Sequence, residues 1–128
     1  MYKIISEIES LGDSGESFSR ILARRNAHGK SFDDATVTKI DTLISLVDNA
    51  YEVMIANLKN GFDNKIPLDA AYSAEKSVNN MRDTLREEEI SSIEYGGTHY
   101  QTSVYYMDLV TELEKMGDYI INVSEALA

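Results

Sequence analysis

The sequence predicts an all-α fold, an antiparallel up-down bundle of four helices. Apolar residues recur three and four positions apart through four long stretches, and no convincing alternating strand pattern occurs. The single proline, Pro67, leaves these stretches free to be helical. Helices joined by short loops alternate in direction and bury their stripes against one another, so we expect residues 1–128 to form one domain. A three-helix bundle with one helix extended into a partner is the main alternative.

The first helix is predicted from about residue 2 to residue 26. Arg24 and Arg25 lie in its last turn, where cations interact well with the helix dipole, and Gly29 follows as a stop. Gly12 and Gly15 weaken it by about 1 kcal/mol each relative to alanine, so some compensation is expected there. The apolar face consists of Ile4, Ile8, Leu11, Gly15, Phe18 and Leu22.

The second and third helices have clear boundary signals. Ser31 is a suitable N-cap, because Asp34 follows three positions later, and the second helix ends at Asn60–Gly61. Pro67 suits the first turn of the third helix, which ends before Gly96–Gly97. The stripe of the second helix is Val37, Ile40, Ile44, Val47, Tyr51, Met54 and Leu58. That of the third is Ala71, Ala74, Val78, Met81 and Leu85.

The fourth helix is predicted to begin after Thr98 and to run to the C-terminus. Its apolar positions continue the helical spacing along the whole segment, so it is expected to bury one side in the bundle. These positions are Tyr106, Leu109, Val110, Leu113, Met116, Ile120 and Leu127.

The acidic composition limits the classes of partner. The chain has 22 Asp and Glu against 12 Lys and Arg, a net charge of −10, which repels nucleic acid and anionic lipid. The same field attracts cations and basic protein surfaces, although in most acidic domains it serves solubility. The chain has no cysteine, so disulfides and thiolate metal sites are excluded. No segment is apolar enough to span a membrane and the N-terminus is no signal peptide, so neither direct membrane insertion nor secretion is expected.

An acidic motif occurs twice. Residues 7–13 and 112–118 share the pattern E-[IL]-E-x-[LM]-G-D. Because residues four apart lie one above the other on a helix, Glu9 pairs with Asp13 and Glu114 with Asp118. Antiparallel packing of the first and last helices would bring the two pairs to one level, so we expect four carboxylates to converge on one groove.

Such a groove would suit a hard or borderline cation. Oxygen ligands favour magnesium, calcium, manganese or iron, and the predicted metal ligands are Glu9, Asp13, Glu114 and Asp118. Glu16 and Asn122 are further oxygen donors nearby. The alternative is a solvated acidic face that makes weak exposed pairs with Lys3, Lys115 and Arg20.

A weaker form of this acidic pattern occurs between the second and third helices. The apolar stripe of the second helix is flanked by Asp41, Asp48 and Glu52, and that of the third helix by Glu75 and Asn79. Arg82 and Arg86 follow Glu75 along the third helix, so interhelical salt bridges are favoured over a second cation site.

Catalysis has little support in the sequence. His28 and His99 are the only imidazoles, and both are predicted in loops or at a helix start. A di-iron bundle would need Glu-x-x-His pairs, and none occurs. We therefore expect no enzymatic activity.

These residues resemble a known family, the PhoU-like domains attached to the cytoplasmic side of sodium/phosphate cotransporters. The resemblance rests on the two Glu-x-x-x-Asp turns and on the fourth helix, which is similar to the family pattern L-x-x-[IM]-[GA]-D-x-x-x-N-[IV]-x-E. In that pattern Asp118, Asn122, Val123 and Glu125 are in register. The third helix also fits, through Glu75, Asn79, Arg82, Leu85 and Arg86.

The resemblance implies a cytoplasmic helical bundle that regulates phosphate uptake and, in some members, holds metal clusters on Glu-x-x-x-Asp motifs. Its implied partner is the membrane part of a sodium-dependent phosphate transporter, in the same or a neighbouring chain. Full PhoU proteins have two tandem three-helix bundles, whereas this chain has room for one domain. It is therefore expected to be the soluble domain of a longer inner-membrane protein, with Met1 an artificial start.

The alternative function is a helical protein-interaction module that binds no metal. Its docking surface would be rich in tyrosine, and the sequence leaves open whether the domain forms a homodimer. The tyrosines concerned are Tyr95, Tyr100, Tyr105 and Tyr119.

Overall fold

Four long helices form all of the described part of the chain except residues 67–68. The structure, a computed structural model, describes residues 2–27, 34–61, 67–94 and 100–127. Within these ranges it describes the backbone but not the side chains of residues 24–27, 92–94 and 100–102. The helices are α1 (Tyr2–Ala27), α2 (Asp34–Gly61), α3 (Asp69–Glu94) and α4 (Tyr100–Leu127). No strand occurs within these ranges, and the predicted all-α four-helix bundle is confirmed.

The helix boundaries agree closely with the predicted ones, apart from the start of α3. Pro67 was expected in the first turn, but α3 begins at Asp69. The carbonyl of Leu68 accepts a 2.9 Å hydrogen bond from the amide of Tyr72, so Leu68 occupies the capping position and Pro67 precedes it. The predicted signals at Gly29, at Ser31 and at Gly96–Gly97 lie outside the described residues.

Side-chain contacts show that α4 runs antiparallel to both α1 and α3. Glu7 of α1 meets Asn122 of α4, and Ser14, further along α1, meets the earlier residue Glu112. The two helices are therefore antiparallel. Arg82 and Arg86 of α3 likewise meet successively earlier residues of α4, so this pair is antiparallel as well.

Helix α4 lies at the centre of the bundle. It packs against all three other helices, and α2 and α3 also pack against each other. Because it is surrounded, α4 is buried on several sides and not along one stripe. Its buried residues are Ser103, Tyr106, Leu109, Val110, Leu113, Gly117, Ile120, Ile121, Val123 and Ser124.

Helix α1 packs on α4 alone. In the described ranges no Cα atom of α1 lies within 8 Å of a Cα atom of α2 or α3. The side of α1 turned to α4 carries Ile4, Ser14 and Ile21, all buried, whereas Ile8 of the predicted apolar face is exposed. The expected burial of that face is therefore wrong at Ile8, because α2 does not cover it.

No candidate membrane-spanning helix occurs in the described residues. None of the four helices combines the length and the apolar character that crossing a bilayer requires.

Candidate functional site

The carboxylate of Glu114 is held between two arginines of α3. Arg82 Nη1 donates to Glu114 Oε1 over 2.6 Å, and Arg86 Nη2 donates to Glu114 Oε2 over 2.7 Å. All three side chains are partly buried, which strengthens charge-assisted hydrogen bonds relative to exposed ones. Both oxygens of Glu114 are thus already engaged, and the residue joins α3 to α4.

Further polar contacts orient the two arginines. Arg82 Nε donates to Asp83 Oδ1 over 2.9 Å, and Arg82 Nη1 also contacts Asn79 Oδ1 at 3.3 Å. Arg86 Nη2 reaches Thr111 Oγ1 of α4 at 3.4 Å. The predicted use of both arginines in interhelical salt bridges is confirmed. Their partner is an acid of α4, and not one of the acids of α2 that the sequence placed near them.

Two neighbouring acids, Glu75 of α3 and Asp118 of α4, have pKa values above the usual range. Burial is the main cause for both. The charge of Asp118 raises the pKa of Glu75 further, and the charge of Glu114 raises that of Asp118. Arg82 acts in the opposite direction on Asp118. Negative charge therefore accumulates beside the Glu114 ion pairs without full compensation.

The contact between α1 and α4 uses other residues of the acidic motifs. Ser14 Oγ donates to Glu112 Oε2 over 3.0 Å, and Asn122 Nδ2 donates to Glu7 Oε2 over 3.2 Å. Lys115 also contacts Glu112, at 3.4 Å. Sequence reasoning missed Ser14, because a serine in an acidic helix normally indicates a solvent face.

The expected convergence of four carboxylates is therefore absent. Glu9 and Asp13 are exposed on α1, whereas Glu114 and Asp118 belong to the α3 side of α4. The described residues contain no group of three or more His, Asp or Glu side chains placed to hold a metal ion. The physical reason is helical rotation. Residues 112 and 114 are separated by roughly 200° around α4, so the flank carrying Glu112 faces α1 and that carrying Glu114 does not.

On α1 the alternative, a solvated acidic face with exposed ion pairs, fits better than the metal site. The acid that forms such a pair is Glu16 and not one of the predicted metal ligands. Arg20 binds Glu16 over 2.7 Å, and both side chains are 63% exposed. Asn122, proposed as an additional ion ligand, instead contacts Glu7.

The two motif glycines also differ in their surroundings. A Cβ added at Gly12 would meet nothing within 4 Å, whereas one at Gly117 would lie 3.2 Å from Val78 Cγ1. Gly15 is intermediate, with Met116 Cε at 3.6 Å. The compensation expected for the glycines of α1 is thus absent at Gly12. At Gly117, a close helix approach explains the missing side chain.

An open apolar groove separates α1 from α2, with α4 as its floor. Its volume is about 320 Å³. We call it the α1–α2 groove and define it by Leu11, Phe18, Ile44, Val47, Tyr51 and Met116.

Several residues predicted as core are exposed, and two of them, Ile44 and Tyr51, line the groove. Ile8 of α1 and Val37, Ile44 and Tyr51 of α2 are between 37% and 42% exposed. Buried neighbours such as Val47 and Met54 show that the stripe of α2 is wider than the core that covers it.

The predicted tyrosine surface is only partly within the described residues. Tyr95 lies outside them, and the side chain of Tyr100 is not described. Tyr105 packs against the core, and Tyr119 lines a small polar pocket beside Asp13. Among the described residues, the apolar groove is thus a better-defined surface feature than the predicted tyrosine surface.

Comparison of the chain with protein-family models, curated proteins and solved structures found no match. The resemblance to PhoU-like domains therefore stays a prediction.

Proposed function

We propose that this chain is a regulatory domain that works by binding a protein partner. The partner class is the membrane part of a sodium-dependent phosphate transporter, in the same chain or a neighbouring one. Two separate supports apply. The open groove supports a protein contact, and the resemblance of the fourth helix to PhoU-like domains supports the phosphate transporter.

The exposed edge of the α2 stripe is the observation that carries the protein contact. Val37, Ile44 and Tyr51 continue the helical apolar spacing, yet no part of the described chain covers them fully. Leaving several large apolar side chains in water forfeits stabilisation of about 25 cal/mol per Å² of apolar surface. Ile44 and Tyr51 line an open groove with apolar walls, and such a groove is a common docking site for a segment of another protein.

Cation binding is a weaker part of the proposal. Glu114 is engaged by arginines, and Glu9 and Asp13 lie apart from it, so an ion would need a rearrangement of α1 relative to α4. Regulation through a protein contact needs no such ion. The interaction module without metal is therefore the version of the function that this geometry favours.

The test uses two isoleucine-to-lysine variants of the chromosomal gene in the source organism. Ile44→Lys places a charge in the groove, and Ile90→Lys changes an isoleucine of α3 that is exposed outside it. Uptake of radiolabelled phosphate is measured in phosphate-poor cells and again after a shift to phosphate-rich medium.

We expect Ile44→Lys to abolish the response of uptake to the shift, while Ile90→Lys responds like the wild type. Immunoblots at matched expression exclude loss of the protein. Unchanged regulation in both variants, or equal loss in both, would contradict the proposal.

A further inference from the structure

The α1–α2 groove has two facing apolar walls. Its wall on α2 carries Ile44 and Tyr51, seven positions apart. Seven residues of helix span roughly 10 Å, or about two turns, and the exposed Val37 lies one heptad before Ile44 on the same face of α2. Leu11 and Phe18 of α1, also seven apart, form the opposite wall. Two apolar walls with matching heptad spacing are the geometry that accepts the apolar stripe of another helix.

The rim of the groove on α2 is acidic. Asp48 lines the groove, and Asp41 and Glu52 lie seven before and four after it, on the same flank of the helix. All three are exposed, and we call them the rim acids. Lys59 follows further along this flank, so the negative part extends over residues 41–52.

The opposite rim carries no compensating positive charge in the described side chains. Helical geometry places Gly12, Ser19 and Ile5 on the groove-facing edge of α1. Arg20 lies beyond this edge and is paired with Glu16. The groove therefore combines an apolar floor with one negative rim and one neutral rim.

A second copy of the chain is a poor occupant for this surface. Each copy carries a net charge of −10, and a two-fold contact through the groove would bring the rim acids of both copies close together. A helix with an apolar stripe flanked by Lys or Arg would meet apolar walls and the negative rim at once.

We propose that the α1–α2 groove binds a basic amphipathic helix of a partner protein, with the apolar stripe between α1 and α2 and the basic flank against the rim acids. This inference rests on the proposed function, because it names the chemistry of the contact through which the domain regulates. The same chemistry explains why α1 and α2 keep wide apolar stripes without packing against each other.

The probe is a synthetic, fluorescein-labelled helix of about 18 residues, or ~27 Å, with leucines at i, i+3, i+4 and i+7 and lysines on both flanks. Two control peptides separate the contributions. One has the same composition in scrambled order, so that it has the charge without the stripe. The other replaces each lysine by glutamate, so that it has the stripe with the opposite charge. Binding to the full chain is followed by fluorescence anisotropy at low and at physiological salt.

Two groove variants test the location of binding. Ile44→Lys removes an apolar wall residue and is expected to weaken binding about tenfold. The double variant Asp41→Lys, Asp48→Lys reverses the rim charge and is expected to weaken binding at low salt by about tenfold and to remove its salt dependence. Lysine at position 44 lies three and four residues from these aspartates, so the folded helix tolerates it.

Matched controls lie on α3, away from the groove. Ile90→Lys changes an isoleucine exposed at 52%, and Glu87→Lys reverses an exposed acid. Both are expected to bind the probe like the wild type. Circular dichroism of all variants confirms that they are folded.

The expected result is binding of the striped basic peptide alone, lost in the groove variants and kept in the controls. Equal binding of the scrambled peptide, or of the acidic one, would overturn the proposal. So would binding that Ile44→Lys leaves unchanged. Sedimentation equilibrium tests the other candidate occupant, a second copy of the chain. A wild-type dimer that Ile44→Lys dissociates would assign the groove to that second copy.

The two proposals fail separately. If Ile44→Lys disrupts phosphate regulation but no basic helix binds, the regulatory role stands and the partner chemistry is wrong. If the basic helix binds in the groove and phosphate uptake is unaffected, the partner chemistry stands and the phosphate role is wrong.

Discussion

Glu114 of α4 accepts a 2.6 Å hydrogen bond from Arg82 of α3, and this contact places the Glu114 flank of the second acidic motif on the side of α4 away from α1. The sequence motif recurs in α1 and α4, but the two copies have different surroundings. In α4 the motif glycine is buried and its glutamate is ion-paired. In α1 both corresponding residues, Gly12 and Glu9, are exposed. The same sequence pattern therefore has different surroundings in the central helix α4 and in the peripheral helix α1.

The Glu114 ion pairs should contribute to stability. Glu114→Gln leaves two partly buried guanidinium groups without their counter-charge, so we expect the free energy of unfolding to fall by about 1–3 kcal/mol. The measurement is urea denaturation followed by circular dichroism. The control is Glu16→Gln, which breaks a well-exposed pair with Arg20 and should cost less than about 0.5 kcal/mol. Equal effects of the two substitutions would show that the α3–α4 pairs are no stronger than a surface pair.

The motif glycines should respond oppositely to alanine. Gly12→Ala adds a methyl group in open space within a helix, so the free energy of unfolding should rise by about 1 kcal/mol. Gly117→Ala gains the same helix propensity but pushes its Cβ against Val78, so the gain should be lost or reversed. Thermal and urea melts of both variants decide this. A Gly117→Ala variant stabilised as much as Gly12→Ala would contradict the close approach of α3 and α4.

How far the sequence determines this structure differs between fold and site. Periodicity and boundary signals predicted four helices, their order and all but the start of α3, since these depend on local spacing. The site depended on which flank of α4 meets α1, and this is set by the packing of three helices around α4. A prediction from the apolar stripe of a helix assumes that the helix is buried on one side only. Burial of Ser14, and exposure of Ile8 and Ile44, depend on distant neighbours that spacing alone does not specify.

The acids beside Glu114 should make stability depend on pH. The pKa values of Glu75 and Asp118 are raised in the folded state, so the folded chain holds more protons than the unfolded one over the range just above their ordinary values. Their effect is destabilising at pH 7 and disappears as the pH falls. Asp118→Asn removes the charge, so we expect the variant to be about 0.3–0.5 kcal/mol more stable at pH 7.

This difference should shrink as the pH falls towards the raised pKa of Asp118, because protonation of the wild-type carboxylate removes the charge that the variant lacks. Urea melts at pH 7.0, 5.5 and 4.5 measure it. Glu75 is affected by Asp118, Glu125 and its hydrogen-bond partner Asn79, and Asp118 is affected by Glu114 and Arg82. A variant that is less stable than the wild type at pH 7 would show that attraction to Arg82 exceeds the combined penalty of burial and repulsion.

Divalent cations should have little specific effect on stability. Manganese, magnesium or calcium at millimolar concentration is expected to leave the melting temperature close to its value in chelator, because Glu114 is engaged and Glu9 and Asp13 lie apart from it. Asp13→Asn and Asp118→Asn serve as controls. A rise of several degrees that both substitutions abolish would show that the four carboxylates gather around an ion, as the sequence pattern predicted.

The most direct measurement of the central claim, that α1 stands apart from α2 and leaves a groove, is disulfide cross-linking. The chain has no cysteine, so any disulfide within it must join the two introduced cysteines. Phe18→Cys with Ile44→Cys spans the groove, and Val78→Cys with Gly117→Cys spans α3 and α4, where the two Cβ atoms would lie 3.9 Å apart. A disulfide needs Cβ atoms within about 4.5 Å. We predict rapid oxidation of the α3–α4 pair and none of the α1–α2 pair. Ready cross-linking between positions 18 and 44 would contradict the open groove.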